Sequence, residues 1–371
     1  MIKKILFFLF LCSFTLLLCT PVNIPVPLPN PSDPDGLLTG QREIEDSMVP
    51  LTPVPISNSS AATAISLPLS HGTIKHGVSE YGYLQVTGTQ LCSEDGVPVM
   101  LRGISSHGMQ WFSQFTSVQS IKNTRDYGAN VFRIAMYTAE GGYISDADIK
   151  KTVFDAIDSA RALDMYVIVD WHIRSDGDPH LYLEQAKAFF GEAARHYADD
   201  PAVIYELCNE PNGVSWDRIH AYAAQIIPVI REYSPNALII CGTASWSQDV
   251  DSVAELMLPF DNVMYSYHFY SGFHGSESRQ RIDTALAAGT PVFVTEWGTS
   301  HFSGDDGLYL EESAQWLDYL NKNQISWINW SLCDKEESSA ALIPGADPNM
   351  PWHEDQLSES GRFVFRQFRQ Q

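Results

Sequence analysis

Basic residues are scarce in this sequence. Its 371 residues include 23 Lys and Arg against 45 Asp and Glu, which gives a formal net charge of −22. Nucleic-acid binding depends on Lys and Arg side chains that neutralise phosphates, and electrostatic docking on anionic lipid depends on the same side chains. The charge balance therefore argues against both partners, whereas a neutral polymer is compatible with it.

Cysteines are few, and metal-binding motifs are missing. Two of the six cysteines, Cys12 and Cys19, belong to an N-terminal apolar segment. The other four are widely spaced and form no C-x-x-C pair: Cys92, Cys208, Cys241 and Cys333. We therefore expect no disulfide framework. His-x-His and His-Glu-x-x-His are also absent from the sequence, so we predict no metal site and no cofactor.

The longest apolar run lies at the N-terminus. Lys3 and Lys4 precede the run Ile5–Leu18, which is typical of a secretory signal and shorter than the roughly 20 residues of a membrane-spanning helix. We predict a signal peptide over residues 1–19 and export to the medium or the cell surface. No A-x-A cleavage site follows. The motif Leu16-Leu17-Leu18-Cys19 loosely resembles a lipoprotein signal, so a lipid anchor on its Cys stays open as the one predicted membrane attachment.

Residues 20–79 have a different composition. Prolines recur from Pro21 to Pro55, and Ser, Ala and Thr dominate Ser57–Ser66. Such a segment buries too little apolar surface to offset its ordering entropy. The composition predicts a disordered Pro/Ser-rich linker over 20–79, followed by one domain over 80–371 that we expect to be monomeric.

From residue 80 onward, apolar runs alternate with helical patterns. A hairpin is expected first, between Tyr83–Val86 and Val97–Leu101. Eight strand-like runs are then found: Val99–Ile104, Asn130–Met136, Met165–Trp171, Ala202–Leu207, Ala237–Cys241, Val263–Tyr267, Pro291–Thr295 and Ile325–Trp330. The segments between them have helical periodicity, as in Ile149–Leu163 and Glu184–Tyr197. This alternation predicts an α/β fold, a (β/α)8 TIM barrel, with a doubly wound open sheet as the alternative.

Two glutamates follow strands that are not neighbours in such a barrel. Glu210 follows the fourth run and Glu296 the seventh, at the strand ends where barrel active sites lie. Cleavage of a glycosidic bond needs one carboxylic acid to protonate the leaving oxygen and a second carboxylate to attack the anomeric carbon. Strands four and seven can face each other with their carboxyl groups roughly 5 Å apart, which fits attack with retention. Arg133, at another strand end, supplies a cation that can keep one carboxylate charged.

Seven ordered blocks of the sequence resemble glycoside hydrolase family 5 cellulases (endo-β-1,4-glucanases) over about Tyr81 to Phe368. The matching blocks are Leu101–Gly108, Ile168–His172, Tyr205–Pro211, Gly242-Thr243 with Trp246–Val250, Tyr267–Tyr270, Phe293–Gly298 and Trp330–Lys335. Their order makes the resemblance specific, which a lone Asn-Glu-Pro would not be. The resemblance implies a retaining endo-β-1,4-glucanase that acts on cellulose or a related β-1,4-glucan.

The resemblance also implies a role for each matching residue. Glu210 would be the general acid/base and Glu296 the nucleophile. Arg133 and Tyr270 would hold the nucleophile charged and oriented. His268 would tune the proton of the acid/base, His172 would contact the substrate or the nucleophile's surroundings, and Asn209 would bind the sugar 2-hydroxyl. Sugar rings and glycone-side hydroxyls would be bound by a further set: Trp111, Trp246, Trp330, His107, Lys335 and Glu337.

Other interpretations stay open at this point. A β-mannanase, a xyloglucanase or a lichenase shares the fold and the backbone linkage chemistry. A non-catalytic glucan-binding protein and a metal-dependent barrel hydrolase belong to different classes. Taken singly, Arg133 could be a structural ion-pair partner, and His172 and His268 could be core histidines.

Overall fold

A computed structural model of the protein describes residues 76–369. The predicted signal peptide and residues 20–75 of the predicted linker lie outside the described residues. Ser79, at the end of the predicted linker, donates a hydrogen bond from Oγ to Asp164 Oδ2 at 2.7 Å. None of the helices within residues 76–369 combines the length and the apolar composition of a membrane-spanning segment.

A short antiparallel hairpin precedes the barrel. Its strands are β1 (Gln85–Thr87) and β2 (Gln90–Cys92). The second strand differs from the predicted Val97–Leu101, because a turn at Gly88, whose φ is +62°, folds the chain back earlier, so that this strand begins at Gln90 and not at Val97. Glycine adopts such a φ without steric cost. Val97–Leu101 meets the hairpin through one bridge, between Pro98 and Cys92.

The predicted (β/α)8 barrel is confirmed. Its strands are β3 (Arg102–Ser106), β4 (Val131–Tyr137), β5 (Tyr166–His172), β6 (Val203–Glu206), β7 (Ile239–Cys241), β8 (Val263–Tyr270), β9 (Val292–Gly298) and β10 (Trp327–Leu332). Successive strands pair in parallel, and β10 pairs with β3 to close the sheet. The doubly wound alternative is wrong, because an open sheet would leave β3 and β10 as edges.

Helices connect the strands on the outside of the barrel. The longer ones are Val118–Tyr127, Ile149–Ala162, Leu183–His196, Trp216–Arg231, Ser276–Ala287, Leu310–Lys322 and Glu359–Gln367. Short helical turns cover Val78–Tyr81, Met109–Phe112, Ser113–Thr116, Pro179–Tyr182 and Val250–Glu255. Helical spacing explains the packing: Ile149–Ala162 buries Val153, Ile157 and Ala160 on one face, as the periodicity predicts.

The apolar core closes one end of the barrel and leaves the other for polar groups. Leu84 and Leu91, from the hairpin region, pack with inward-facing strand residues such as Ile168 and Ile240. Four cysteines of the described chain are buried free thiols: Cys92, Cys208, Cys241 and Cys333. Because apolar side chains fill the end at which the strands begin, the polar side chains gather at the carboxyl ends of the strands.

Candidate active site

Arg133, on β4, lies fully buried among three carboxylates. Its Nε is 2.7 Å from Glu206 Oε2, its Nη2 3.0 Å from Asp170 Oδ2 and its Nη1 3.2 Å from Glu296 Oε2. Burial alone would lower the pKa of Arg133, but the three carboxylates, Asp170 foremost, raise it above its ordinary value. The guanidinium is therefore permanently charged and serves as the cation of the site.

Glu296, on β9, is held by two donors. Arg133 Nη1 donates to its Oε2 at 3.2 Å, and Tyr270 Oη donates to its Oε1 at 2.7 Å. Burial raises the pKa of Tyr270 well above its ordinary value, so the phenol keeps the proton that it donates. The Glu296 side chain is only 6% exposed, and charge-assisted bonds of this kind are strong and directional. Both carboxylate oxygens are thus oriented by groups that complement a negative charge.

Glu210, in the loop after β6, has a different environment. Its Oε1 lies 3.0 Å from His268 Nδ1. Burial raises the pKa of Glu210 to about 7, although Arg174 and Arg133 act in the opposite direction. Burial also lowers the pKa of His268 to about 4, so its imidazole is neutral, with Nε2 3.0 Å from Thr295 Oγ1. A carboxyl group with this pKa can give up a proton and take it back near neutral pH.

The two glutamates lie close together. One carboxylate oxygen of each and one ring nitrogen of His268 all lie within 4.8 Å of one another. Direct attack with retention calls for carboxyl groups roughly 5–5.5 Å apart, whereas inversion calls for roughly 6.5–9.5 Å. The same three atoms are close enough to hold a metal ion. However, Arg133 already pairs with Glu296, and its charge opposes a second cation there. The group therefore fits a proton donor beside a nucleophile.

A hydrogen-bonded chain fixes the side chain of Asn209. Its Oδ1 accepts from Arg133 Nη2 at 2.6 Å, and its Nδ2 donates to the Ile173 carbonyl at 3.1 Å and lies 3.4 Å from His172 Nε2. His172 Nδ1 lies 2.6 Å from Asp170 Oδ2. Burial lowers the pKa of His172 well below its ordinary value and raises that of Asp170 to about 8. Asn209 and His172 are thus joined by hydrogen bonds to Arg133 and its acidic partners Asp170, Glu206 and Glu296, which we call the Arg133 cluster.

Three of the predicted sugar-contact residues lie together. Trp330, on β10, stacks on His172 with ring centroids 5.3 Å apart, and its centroid is 5.1 Å from that of His107. Burial lowers the pKa of His107 to about 3, and the positive charge of Lys335 acts in the same direction. Trp111 is 46% exposed, and its ring is 5.8 Å from that of His107. The rings of Trp330, His107 and Trp111 thus extend from His172, which contacts the Arg133 cluster, to the protein surface.

The remaining predicted residues lie on neighbouring loops. Trp246 belongs to the run Ser245–Ser247, whose φ values of 55–57° are left-handed, and its backbone N–H donates to the Pro211 carbonyl at 3.0 Å. It therefore adjoins the loop that carries Glu210. Lys335 pairs with Glu337, whose side chain is 5% exposed.

Sequence reasoning missed the buried partners of Arg133. Asp170 and Glu206 interrupt apolar strand runs, Val169-Asp170-Trp171 and Tyr205-Glu206-Leu207. That pattern was the available signal, because a buried carboxylate needs a cation or hydrogen-bond donors. Thr295, which contacts His268, carries no comparable signal.

Comparison with known proteins assigns a family. Residues 92–336 match the family model described as cellulase (glycosyl hydrolase family 5). Endoglucanase A of Evansella cellulosilytica is 52% identical over 279 residues, which is 74% of this chain and 57% of that protein. Endoglucanase 5 of Pectobacterium carotovorum subsp. carotovorum is 48% identical over 311 residues, 83% of this chain and 62% of that protein. The chain thus spans about six tenths of the length of these relatives.

Solved structures agree with this assignment. The cellulase Cel5C_n has a TM-score of 0.77 at 42% identity, covering 81% of this chain and 95% of its own. The catalytic domain of Thermobifida fusca endoglucanase Cel5A, solved in complex with cellotetraose, has a TM-score of 0.76 at 38% identity and covers 78% of this chain and 98% of its own. With its closed barrel and its paired glutamates, the chain belongs to glycosyl hydrolase family 5.

Proposed function

We propose that this chain is a retaining endo-β-1,4-glucanase that hydrolyses cellulose or a related β-glucan. The observation that carries the proposal is the approach of Glu210 and Glu296 to within 4.8 Å, in environments that suit a proton donor and a nucleophile. The relatives named endoglucanase, and the relative solved with cellotetraose, support this substrate class.

The reaction proceeds in two displacements. Glu296 attacks the anomeric carbon while Glu210 gives its proton to the glycosidic oxygen, so the aglycone leaves as an alcohol and a glycosyl ester forms on Glu296. Glu210, now a carboxylate, then takes a proton from water, and the resulting oxygen attacks the same carbon. The ester bond breaks, the sugar leaves with its configuration retained, and both glutamates return to their starting protonation states.

The surrounding residues support each step. Arg133 and Tyr270 hold the Glu296 carboxylate in position and complement its charge. Neutral His268 hydrogen-bonds Glu210 and tunes its proton. Asn209, whose amide is oriented by Arg133 and His172, binds the sugar 2-hydroxyl in this proposal. Sugar faces and hydroxyls are bound by the remaining predicted residues: Trp111, Trp246, Trp330, His107, Lys335 and Glu337.

Parallel digestion separates the rival functions. Carboxymethylcellulose, lichenan, xyloglucan and glucomannan are incubated with the purified chain, and products are followed by chromatography and their anomeric configuration by NMR. The proposal predicts β-anomers as first products, internal cleavage and a preference for unsubstituted glucan. Faster cleavage of glucomannan or xyloglucan would favour a mannanase or a xyloglucanase. Full loss of activity in a chelator would favour metal chemistry, and no release of sugar from any polymer would leave a non-catalytic binder.

We also propose export of the chain, with Cys19 as a candidate lipid attachment site, and a monomeric catalytic domain. These proposals are supported by the N-terminal residues Lys3 to Cys19 and by the self-contained barrel. Mass spectrometry of the mature N-terminus tests lipidation, because a diacylglyceryl-Cys19 has a distinct mass. Light scattering at several concentrations tests the monomer.

A further inference from the structure

A cluster of aromatic side chains lies beside the site but outside the predicted residue set. Phe273 stacks edge-on against Phe302 and His301, with ring centroids 5.1 and 5.5 Å away, and His301 and Phe302 are 4.2 Å apart. We call these three residues the aromatic rim. Phe273 follows β8, and His301 and Phe302 follow β9. The aromatic rim is therefore at the barrel end that carries the catalytic glutamates.

The aromatic rim adjoins the rings of the site. Phe302 packs against a buried group that includes Tyr270 and Trp330, and Tyr270 contacts the nucleophile Glu296. The Trp330 ring also lies 5.1 Å from that of His107, which lies 5.8 Å from that of the exposed Trp111. Both sets of rings thus meet at the group that includes Trp330, and the predicted sugar contacts account for only part of this aromatic surface.

Phe273 lies on a loop that backbone hydrogen bonds hold in place. Its N–H donates to the Tyr270 carbonyl at 3.0 Å, and Gly272 N–H donates to the Ser300 carbonyl at 2.9 Å. Phe273 is nevertheless 47% exposed. An apolar surface that is left exposed beside a cleft and continuous with it is typical of a ligand-binding surface.

Loop bonding indicates which side of the cleft the aromatic rim serves. Ser339 N–H donates to the Gly304 carbonyl at 2.9 Å, and Ser339 Oγ donates to Glu337 at 3.3 Å. The loop that carries Phe302 is thus bonded to the segment of Lys335 and Glu337. The family resemblance implies that these two residues bind hydroxyls on the glycone side.

We infer that Phe273 and Phe302 form a further glucan-binding site on the glycone side, beyond the sugar that Trp330 contacts. The inference rests on the proposed β-1,4-glucanase function. A β-glucose ring has equatorial hydroxyls, so its two faces present C–H groups that pack against the face of an aromatic ring. The aromatic rim binds the third or fourth glucose counted from the cleaved bond.

A series of aryl β-glycosides tests this site. Aryl cellobioside, cellotrioside and cellotetraoside place the same leaving group on the aglycone side, so each added glucose extends the ligand only on the glycone side. The kcat/KM of each substrate is measured for the wild-type chain and for Phe302→Ala, Phe273→Ala and Val97→Ala. Val97 is the matched control, because it is 59% exposed and lies beside the hairpin at the opposite end of the barrel.

The expected result is a loss that grows with ligand length. Each Phe variant loses about 40–80 Å² of apolar contact with the sugar, which should lower kcat/KM for the cellotrioside and the cellotetraoside by about 5- to 30-fold. The kcat/KM for aryl cellobioside should stay within about twofold of wild type. Val97→Ala should match wild type on every glycoside. Equal effects on all three glycosides, or faster turnover of the longer ones by either Phe variant, would overturn the inference. Absence of aryl release from every glycoside by the wild-type chain would instead overturn the proposed function.

Discussion

We expect the rate of polymer hydrolysis to depend on pH through the protonation of Glu210. Burial raises the pKa of Glu210 to about 7, and the acid must be protonated for the first displacement. A raised pKa means that the active form is fully present below about pH 6 and is lost as the pH rises through about 7. The rate of polymer hydrolysis should therefore fall on the alkaline side with an apparent pKa near 7.

Glu210→Gln isolates this effect, because Gln has nearly the same shape and can still meet His268 Nδ1, which lies 3.0 Å from Glu210 Oε1. The change removes proton transfer, a contribution of about 10²- to 10⁴-fold to the rate. Polymer hydrolysis should fall by that factor. Formation of the glycosyl ester from an aryl cellobioside with a very good leaving group needs no proton, and its rate should stay within about tenfold of wild type.

The assay is stopped-flow release of the aryl group in the first turnover, from pH 5 to 9, for wild type and for the variant. Polymer hydrolysis by the wild type, measured as reducing sugar over the same pH range, should decline near pH 7, whereas aryl release should show no such decline in either protein. If aryl release also declines near pH 7, the decline belongs to another group, and Asp170, whose pKa burial raises to about 8, is the nearest candidate. That result, or equal loss on polymer and aryl substrates in the variant, would refute the assignment of Glu210 as the acid.

Three further predictions concern the groups around Glu296. Glu296→Gln should abolish turnover of polymer and aryl substrates alike, as measured by reducing-sugar and aryl release, because no nucleophile remains. Tyr270→Phe removes the 2.7 Å hydrogen bond to Glu296 and should lower kcat by about 10- to 100-fold, as expected for a bond of about 1.5–3 kcal/mol to a charged group; an unchanged kcat would contradict that role. Arg133→Met leaves the three buried acidic side chains around it without a cation and should lower the free energy of unfolding by about 3–5 kcal/mol in urea at pH 7. Because burial raises the pKa values of Asp170 and Glu206, this loss should shrink as the pH falls, whereas Arg366→Met, in an exposed pair with Glu354, should have a much smaller effect at every pH.

The barrel could be predicted from the sequence because its evidence is local. Each strand is a short β-branched run between helical patterns, and the polar side chains follow each run where the parallel strands end. Glu210 and Glu296 are such residues, so the topology alone predicted that they would approach each other. The hairpin was less well predicted, because its register depends on the turn at Gly88, a feature that apolar patterning does not report.

Acidic residues inside apolar runs indicate that Asp170 and Glu206 need partners, but the same patterns could not identify Arg133 as that partner. Arg133 contacts Asp170, Glu206 and Glu296 from three other strands, and its partners depend on strand register and side-chain direction. The left-handed run that holds Trp246 is likewise set by packing, since Ser-Trp-Ser has no intrinsic preference for positive φ. Environment also determines the pKa of Glu210, because burial is a property of the folded chain and not of the residue.

In the proposed mechanism, Glu296 forms a covalent bond to the sugar while Glu210 supplies the proton. A 2-deoxy-2-fluoro aryl cellobioside traps this glycosyl ester, which proteolysis and peptide mass spectrometry then locate. We expect one added fluoroglycosyl group, on the peptide that contains Glu296. Addition to any other residue, or release of product with inverted configuration and no covalent adduct, would rule out this mechanism.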